Sequence, residues 1–221
     1  YAGSTNMNTW FVVPSTYLDG GTCVVRTVGY HHNGTDPARD NFAFATYNRN
    51  APGELNRSVG ELFLGSYSFS GTESRQNGID FTARPMTVSF DYKYSPLNGE
   101  QAQADVQVLD VSNSVIASHT EYLSASADMV TKTIKIANYP FGKKAAKLYV
   151  RFRSVKEGLN PEISIPTGGD LNDGKTGNSS VDANSYKAVA VGSVLTLDNV
   201  KLGYADAATV TAAPRRNNKN K

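Results

Sequence analysis

Along residues 84–96, RPMTVSFDYKYSP, apolar and polar side chains alternate: Met86, Val88, Phe90, Tyr92 and Tyr94 fall on one side and Thr87, Ser89, Asp91 and Lys93 on the other. A period of two is that of a strand with one buried face. KLYVRFRSV repeats it, with Leu148, Val150 and Phe152 opposite Tyr149, Arg151 and Arg153. In GSVLTLDNVKLGY, Leu195 and Leu197 share a face, but the apolar series resumes at Val200, Leu202 and Tyr204 after three residues instead of two. A β-bulge near Asp198-Asn199 absorbs the extra residue and turns a carboxylate or amide sideways.

The same reading places strands at 10–13, 22–29, 42–47, 62–69, 78–82, 86–94, 104–110, 114–123, 131–137, 147–155, 187–191 and 193–204. The separating stretches, such as HNGTDP, SGTESRQNG, SPLNGEQ, YPFGKK and GGDLNDGKTGNSS, are rich in turn formers. No twelve-residue window shows a 3.6-residue apolar period. The expected fold is an all-β antiparallel β-sandwich of about ten to twelve strands. One domain spans 1–205, followed by a basic tail at 206–221.

Pairing 86–94 with ADVQVLD across the link SPLNGEQAQA satisfies both faces in one register. It sets Tyr92 opposite Val106, Phe90 opposite Val108 and Lys93 opposite Asp105. The apolar row is then core, and Asp91, Lys93, Gln107, Tyr149, Arg151 and Arg153 point outward. If that sheet curls, its outer face becomes a trough suited to an oligo- or polysaccharide. Sugar C–H faces stack on rings, and hydroxyls take hydrogen bonds from charged and amide groups. Tyr122, in SHTEYL, is a further surface ring. The bland alternative is a solvated sheet face.

Composition agrees with strands and tight turns: 221 residues include 12 Tyr, 9 Phe and 19 Gly. The formal charge is +2, but Arg215, Arg216, Lys219 and Lys221 crowd the last seven residues. Without those four the chain carries eighteen basic and twenty acidic residues, so its body offers no field for nucleic acid. The one cysteine, Cys23, sits in the apolar run TCVVRTV, which suggests a buried thiol and permits no internal disulfide. No apolar run is long enough for a transmembrane segment. The chain starts at Tyr1 without a Met, so any signal peptide, lipid anchor or preceding domain is expected to have been removed.

Catalytic signatures are few. His31 and His32 are adjacent and point to opposite sides of an extended chain, which disfavours zinc. DLNDGKTGNSS (170–180) lacks the acids of a calcium loop. The sequons at Asn33, Asn56 and Asn178 carry little weight, and Trp10 suits core packing more than service as an exposed platform. No nucleophile elbow, phosphate loop or dinucleotide fingerprint is present. In the proposed hairpin, Asp91 and Asp105 lie diagonally, about 5 to 8 Å apart, a separation that permits glycoside hydrolysis. Lys93 beside Asp105, however, favours the ionised form, which is wrong for a general acid. No catalytic residue is assigned.

Three blocks, FTARPMTVSFDYKYSPLNGEQAQADVQVLD (81–110), VGSVLTLDNVKLGYA (191–205) and, more weakly, TCVVRTV (22–28), resemble a carbohydrate-metabolism domain family of surface and outer-membrane lipoproteins of gut anaerobic bacteria. The resemblance implies a jelly roll like that of carbohydrate-binding modules. It further implies a place outside the cytoplasm, at the outer membrane, cell surface or periplasm, and partnership with other outer-membrane glycan-utilisation proteins. Asp198 matches a position that, in some calcium-containing carbohydrate-binding jelly rolls, helps hold a structural calcium ion. The expected function is non-catalytic carbohydrate binding. The alternatives are a glycoside hydrolase or lyase, and a structural or adhesive surface module.

Overall fold

A computed structural model describes residues 15–31, 55–69, 73–136, 139–163 and 191–204. These residues form thirteen strands and no helix. In chain order they are β1 (Thr16–Asp19), β2 (Thr22–His31), β3 (Leu55–Ser58), β4 (Glu61–Phe63), β5 (Gly65–Phe69), β6 (Glu73–Asn77), β7 (Ile79–Asp80), β8 (Thr87–Ser95), β9 (Ala102–Leu109), β10 (Val115–Leu123), β11 (Ser126–Lys135), β12 (Lys147–Arg153) and β13 (Val191–Gly203).

Two antiparallel sheets face each other. The first runs β1-β2-β13-β8-β11, with β3 also on β2; the second runs β10-β9-β12-β4, with β7 also on β12. Among the eight principal strands, β2, β13, β8 and β11 in one sheet and β4, β12, β9 and β10 in the other, only β9 and β10 are both consecutive and paired. Every other step along the chain changes sheet, which is the jelly-roll order. β5 and β6 form a separate polar hairpin.

The alternation identified the inward row of β8 correctly: Val88, Phe90, Tyr92 and Tyr94 are buried, as are Val106 and Val108 of β9 and Leu148, Val150 and Phe152 of β12. The hairpin expected between β8 and β9 is not formed. β8 pairs with β11 and β13, and β9 pairs with β10 and β12, so the two strands lie in opposite sheets. Phe90 therefore meets Phe152 across the core, ring centroids 4.9 Å apart and nearly perpendicular. The link Pro96–Gln101 crosses between layers, and Lys93 lies opposite Thr196 rather than Asp105.

The bulge near Asp198 is present: the β13–β8 register shifts between Asp198 and Lys201, and Asn199 has φ of 52°. β1, β3 and β6 had no counterpart among the expected strands, because TYLD, LNRS and ESRQN are short and carry no alternating apolar row. The segments 10–13 and 42–47, Trp10, His32, Asn33, Asn178, the loop 170–180 and the tail 206–221 lie outside the described residues. Cys23 packs against the core, and burial pushes its thiol up.

Polar groups at the centre of the sandwich are matched. The buried Ser154 accepts at its carbonyl from the Tyr94 hydroxyl (2.8 Å), and its Oγ lies 3.0 Å from Thr27 Oγ1 and accepts from Gly60 N (2.9 Å). Burial pushes the Tyr94 phenol up to about 12. A side chain at Gly60 would place Cβ 2.5 Å from the Arg26 carbonyl oxygen, so only glycine lets this strand pass.

The open edge between β10 and β11 is closed by inward-pointing charges, a device that discourages edge-to-edge association. Glu121 takes Lys132 at 2.5 Å and His119 at 3.2 Å. The Lys132 hydrogen bond, and more weakly that of His119, hold the Glu121 carboxyl below its ordinary range. A carboxyl with a depressed folded pKa adds stability above its unfolded pKa and loses it as pH falls through the folded value. Glu121→Gln is therefore expected to be less stable than the parent at neutral pH, with the difference vanishing on acidification below about pH 4. Urea denaturation across that range checks it; a constant difference would refute the assignment.

Candidate functional site

The outer face of the second sheet carries a continuous ionic network. Asp105, at the centre of β9, lies in register with Arg151 of β12 on one side and Thr120 of β10 on the other. Its carboxylate accepts from Arg151 Nε (2.8 Å), Thr120 Oγ1 (2.7 Å) and Gln103 Nε2 (2.9 Å). Arg151 Nη2 reaches Asp105 at 2.8 Å and Glu157 at 3.0 Å, and Arg153 Nη1 donates to Glu157 at 3.2 Å. The turn carrying Glu157 is pinned by its own N–H to Gln103 Oε1 at 2.8 Å. Nε of Arg153 is buried without a hydrogen-bond partner.

Charge states follow from these contacts. Burial pulls the Arg151 guanidinium down, but hydrogen bonds to Glu157 and Asp105 outweigh it and hold it above its ordinary value. The Arg151 hydrogen bond draws the Glu157 carboxyl below its ordinary value. At neutral pH Arg151 is thus held cationic and Glu157 anionic.

Next to this network, Tyr122 projects from β10 opposite Gln103, 50% exposed, with Lys156 Nζ 5.6 Å from its ring centroid. Gln107, Ser118 and Thr120 share its face, as their register requires. Ring, amide, hydroxyls and ammonium thus lie on one rigid surface.

The residues expected to form a trough are divided by the fold. Gln107, Tyr122, Tyr149, Arg151 and Arg153 do share one sheet face. Tyr149 is no platform, however: it is 5% exposed, beneath Phe63 (centroids 6.5 Å apart) and Arg75, whose Nη2 donates to its hydroxyl at 2.9 Å. Arg75 also pairs with Glu61 and lies 4.0 Å over the Phe63 ring. Phe63 comes from β4, within the expected strand 62–69, and Arg75 from β6, which the strand pattern did not anticipate.

Asp91 and Lys93 belong to the opposite sheet, so the expected Asp91/Asp105 pair is overturned. The carboxylate facing Asp91 is Asp198. Asp91 accepts from Thr131 Oγ1 (2.5 Å) and Asn199 Nδ2 (2.8 Å), and those bonds, Thr131 first, lower its pKa. Asp198 accepts from Asn199 N at 2.7 Å. Two carboxylates do not make a calcium shell of six to eight oxygens. Among the described residues no group of three or more His, Cys, Asp or Glu is placed to hold a metal.

Gln103, Thr120, Lys156 and Glu157 escaped the sequence reading. Gln103 carried a signal, since it alternates with the buried Ala102 and Ala104, whereas Thr120 sits between the polar His119 and Glu121; Lys156 and Glu157 lie in a turn, where no period operates.

No family model matches the chain, and no curated protein matches it. Among solved structures it is similar to the infectious bursal disease virus Gx strain structure, at 10% identity and TM-score 0.21 over 90% of this chain and 68% of that one. It is also similar to the Gt strain structure of that virus, at 8% identity and TM-score 0.22 over 90% and 67%. No helix among the described residues is long and apolar enough to cross a membrane.

Proposed function

We propose that the protein is an extracytoplasmic carbohydrate-binding module that captures an oligo- or polysaccharide on the outer face of its second sheet, without catalysis of its own. The observation that carries this reading is Tyr122: a half-exposed ring on a strand locked by the Asp105–Arg151 network, with Lys156 beside it and Thr120, Ser118 and Gln107 further along the same face. A ring held rigidly beside hydroxyl, amide and ammonium groups suits a saccharide, whose C–H face stacks while its hydroxyls bond laterally. The resemblance of residues 81–110 and 191–205 to the lipoprotein family supports the same class and an outer-membrane or cell-surface setting.

Hydrolysis is the weaker reading. A glycosidase needs one carboxylic acid with a raised pKa. Among the described residues, the carboxyls whose pKa moves, Asp91, Asp110, Glu121 and Glu157, all move down.

Calorimetric titration against a panel of soluble glycans is expected to find a ligand whose affinity falls roughly tenfold in Tyr122→Ala, the loss of one stacking ring. Full affinity in that variant would place the site elsewhere, and no binding to any glycan of the panel would count against the class.

A further inference from the structure

The end of the sandwich remote from Tyr122 displays apolar residues that the fold holds away from its core. The chain crosses from β11 to β12 through a tight turn in which Lys143 N reaches the Pro140 carbonyl (3.4 Å) and Gly142 takes φ of 76°. Phe141 stands at its apex, 106% exposed. The neighbouring β9–β10 turn is built on Asp110, whose Oδ1 accepts from Ser112 N (2.9 Å) and Ser114 N (3.0 Å), with Asn113 at φ 62°. Its apex is Val111, 83% exposed.

The two turns are bolted together. Ala146 N donates to Leu109 O at 2.8 Å, Lys143 Nζ lies 3.5 Å from Asp110, and Lys147 Nζ donates to Asn113 Oδ1 at 2.8 Å. Neither apex can fold back onto the core without breaking these bonds, so the apolar tips stand in water by construction. Ile79 and Val115, at the same end, are also exposed. Around them stand Lys143 beside Asp110, with Lys144 next to it in the chain, Lys147 in register with Asp80, Lys135 opposite Thr87 at the end of β11, and Arg84 over the Tyr139 ring. β13 also finishes here, with Met86 N bonded to Gly203 O.

We propose that this end docks on an anionic lipid surface, with Phe141 and Val111 entering the headgroup layer and the lysines resting on lipid phosphates. Protruding apolar side chains ringed by cations match both halves of such a surface: apolar area for the acyl boundary and positive charge for the headgroups. An anionic polysaccharide would meet the same cations, but an aliphatic valine at an apex gives it nothing to stack on or bond to. Docking by this end would leave the Tyr122 face clear at the far end of the molecule.

The test is co-sedimentation of the full chain with vesicles of phosphatidylcholine, with and without phosphatidylglycerol. Binding is expected only to the phosphatidylglycerol vesicles and should weaken as salt rises. Phe141→Ser should weaken it roughly tenfold by removing inserted apolar area, and Lys144→Gln roughly fivefold, the share of one cation near the surface. Both positions are exposed, so unchanged circular dichroism and unchanged glycan titration are expected in the same variants. No binding to phosphatidylglycerol vesicles, or wild-type binding by Phe141→Ser, overturns the proposal. So does tighter binding to a soluble anionic polysaccharide that is indifferent to Phe141→Ser.

Discussion

Replacing Arg151 by methionine is expected to lower the unfolding free energy by about 3 kcal/mol, the cost of leaving a buried carboxylate without its cation. The side chain of Asp105 is 6% exposed and that of Arg151 16%, and Thr120 and Gln103 cannot neutralise the charge left behind. Glu157 is different: its side chain is 61% exposed, so Glu157→Gln should cost under about 1 kcal/mol. Urea denaturation of the two variants separates a buried pair from a surface one, and equal effects would refute the distinction. The double variant Arg151→Met, Asp105→Asn should recover part of the loss, because no unpaired charge remains. Arg151 thus acts first on the fold, and a weakened glycan response in its variants must be corrected for stability. Tyr122→Ala is the cleaner probe of binding, since that ring is half exposed.

Truncating Phe90 to alanine is expected to cost about 3 to 5 kcal/mol, the range for deleting a buried aromatic ring. Phe90 is 1% exposed and bridges the layers by its edge contact with Phe152 at 4.9 Å, while Tyr92 lies 6.1 Å away on its own strand. The void would open between two sheets whose backbones are held by their own ladders, so the walls can collapse only partly. Phe90→Leu keeps most of the volume and should cost about 1.5 kcal/mol. Thermal or chemical denaturation decides it: similar losses for alanine and leucine would show that the site relaxes freely. Against a total stability of about 5 to 15 kcal/mol for a single domain, the alanine variant is expected to approach the threshold of folding.

The outer face of the second sheet was partly legible in the sequence. Gln107, Tyr122, Arg151 and Arg153 alternate with buried neighbours, so their outward direction followed from period two, and the structure puts them on one face. Asp91 and Lys93 alternate equally well and also point outward, but from the other sheet. Tyr149 had the same signature and is nonetheless covered, by Phe63 of β4 and by Arg75 of β6, whose polar strand ESRQN carries no core-facing row. Glu157 and Lys156 act from a turn.

The bulge at Asp198 shows how far a local pattern reaches. A three-residue step in the apolar series is a property of one strand, so it predicted the register shift between Asp198 and Lys201. Which residues would face that bulge depends on the neighbouring strands, and there the reading stopped.

Taken alone, the order of residues was enough to establish the all-β class, the inward rows of β8, β9 and β12, and the position of the bulge. Each depends on the near-180° alternation of side chains along an extended chain, a rule that operates within a few residues. Partnership between strands was settled only by the folded molecule. Lys93 and Arg151 offer Asp105 the same charge, and Val108 or Phe152 offers Phe90 an equally apolar neighbour, so contact chemistry could not choose between them. The choice fell to the closing of two layers around one core, in which the link after β8 crosses to the opposite sheet and Arg151, not Lys93, arrives beside Asp105.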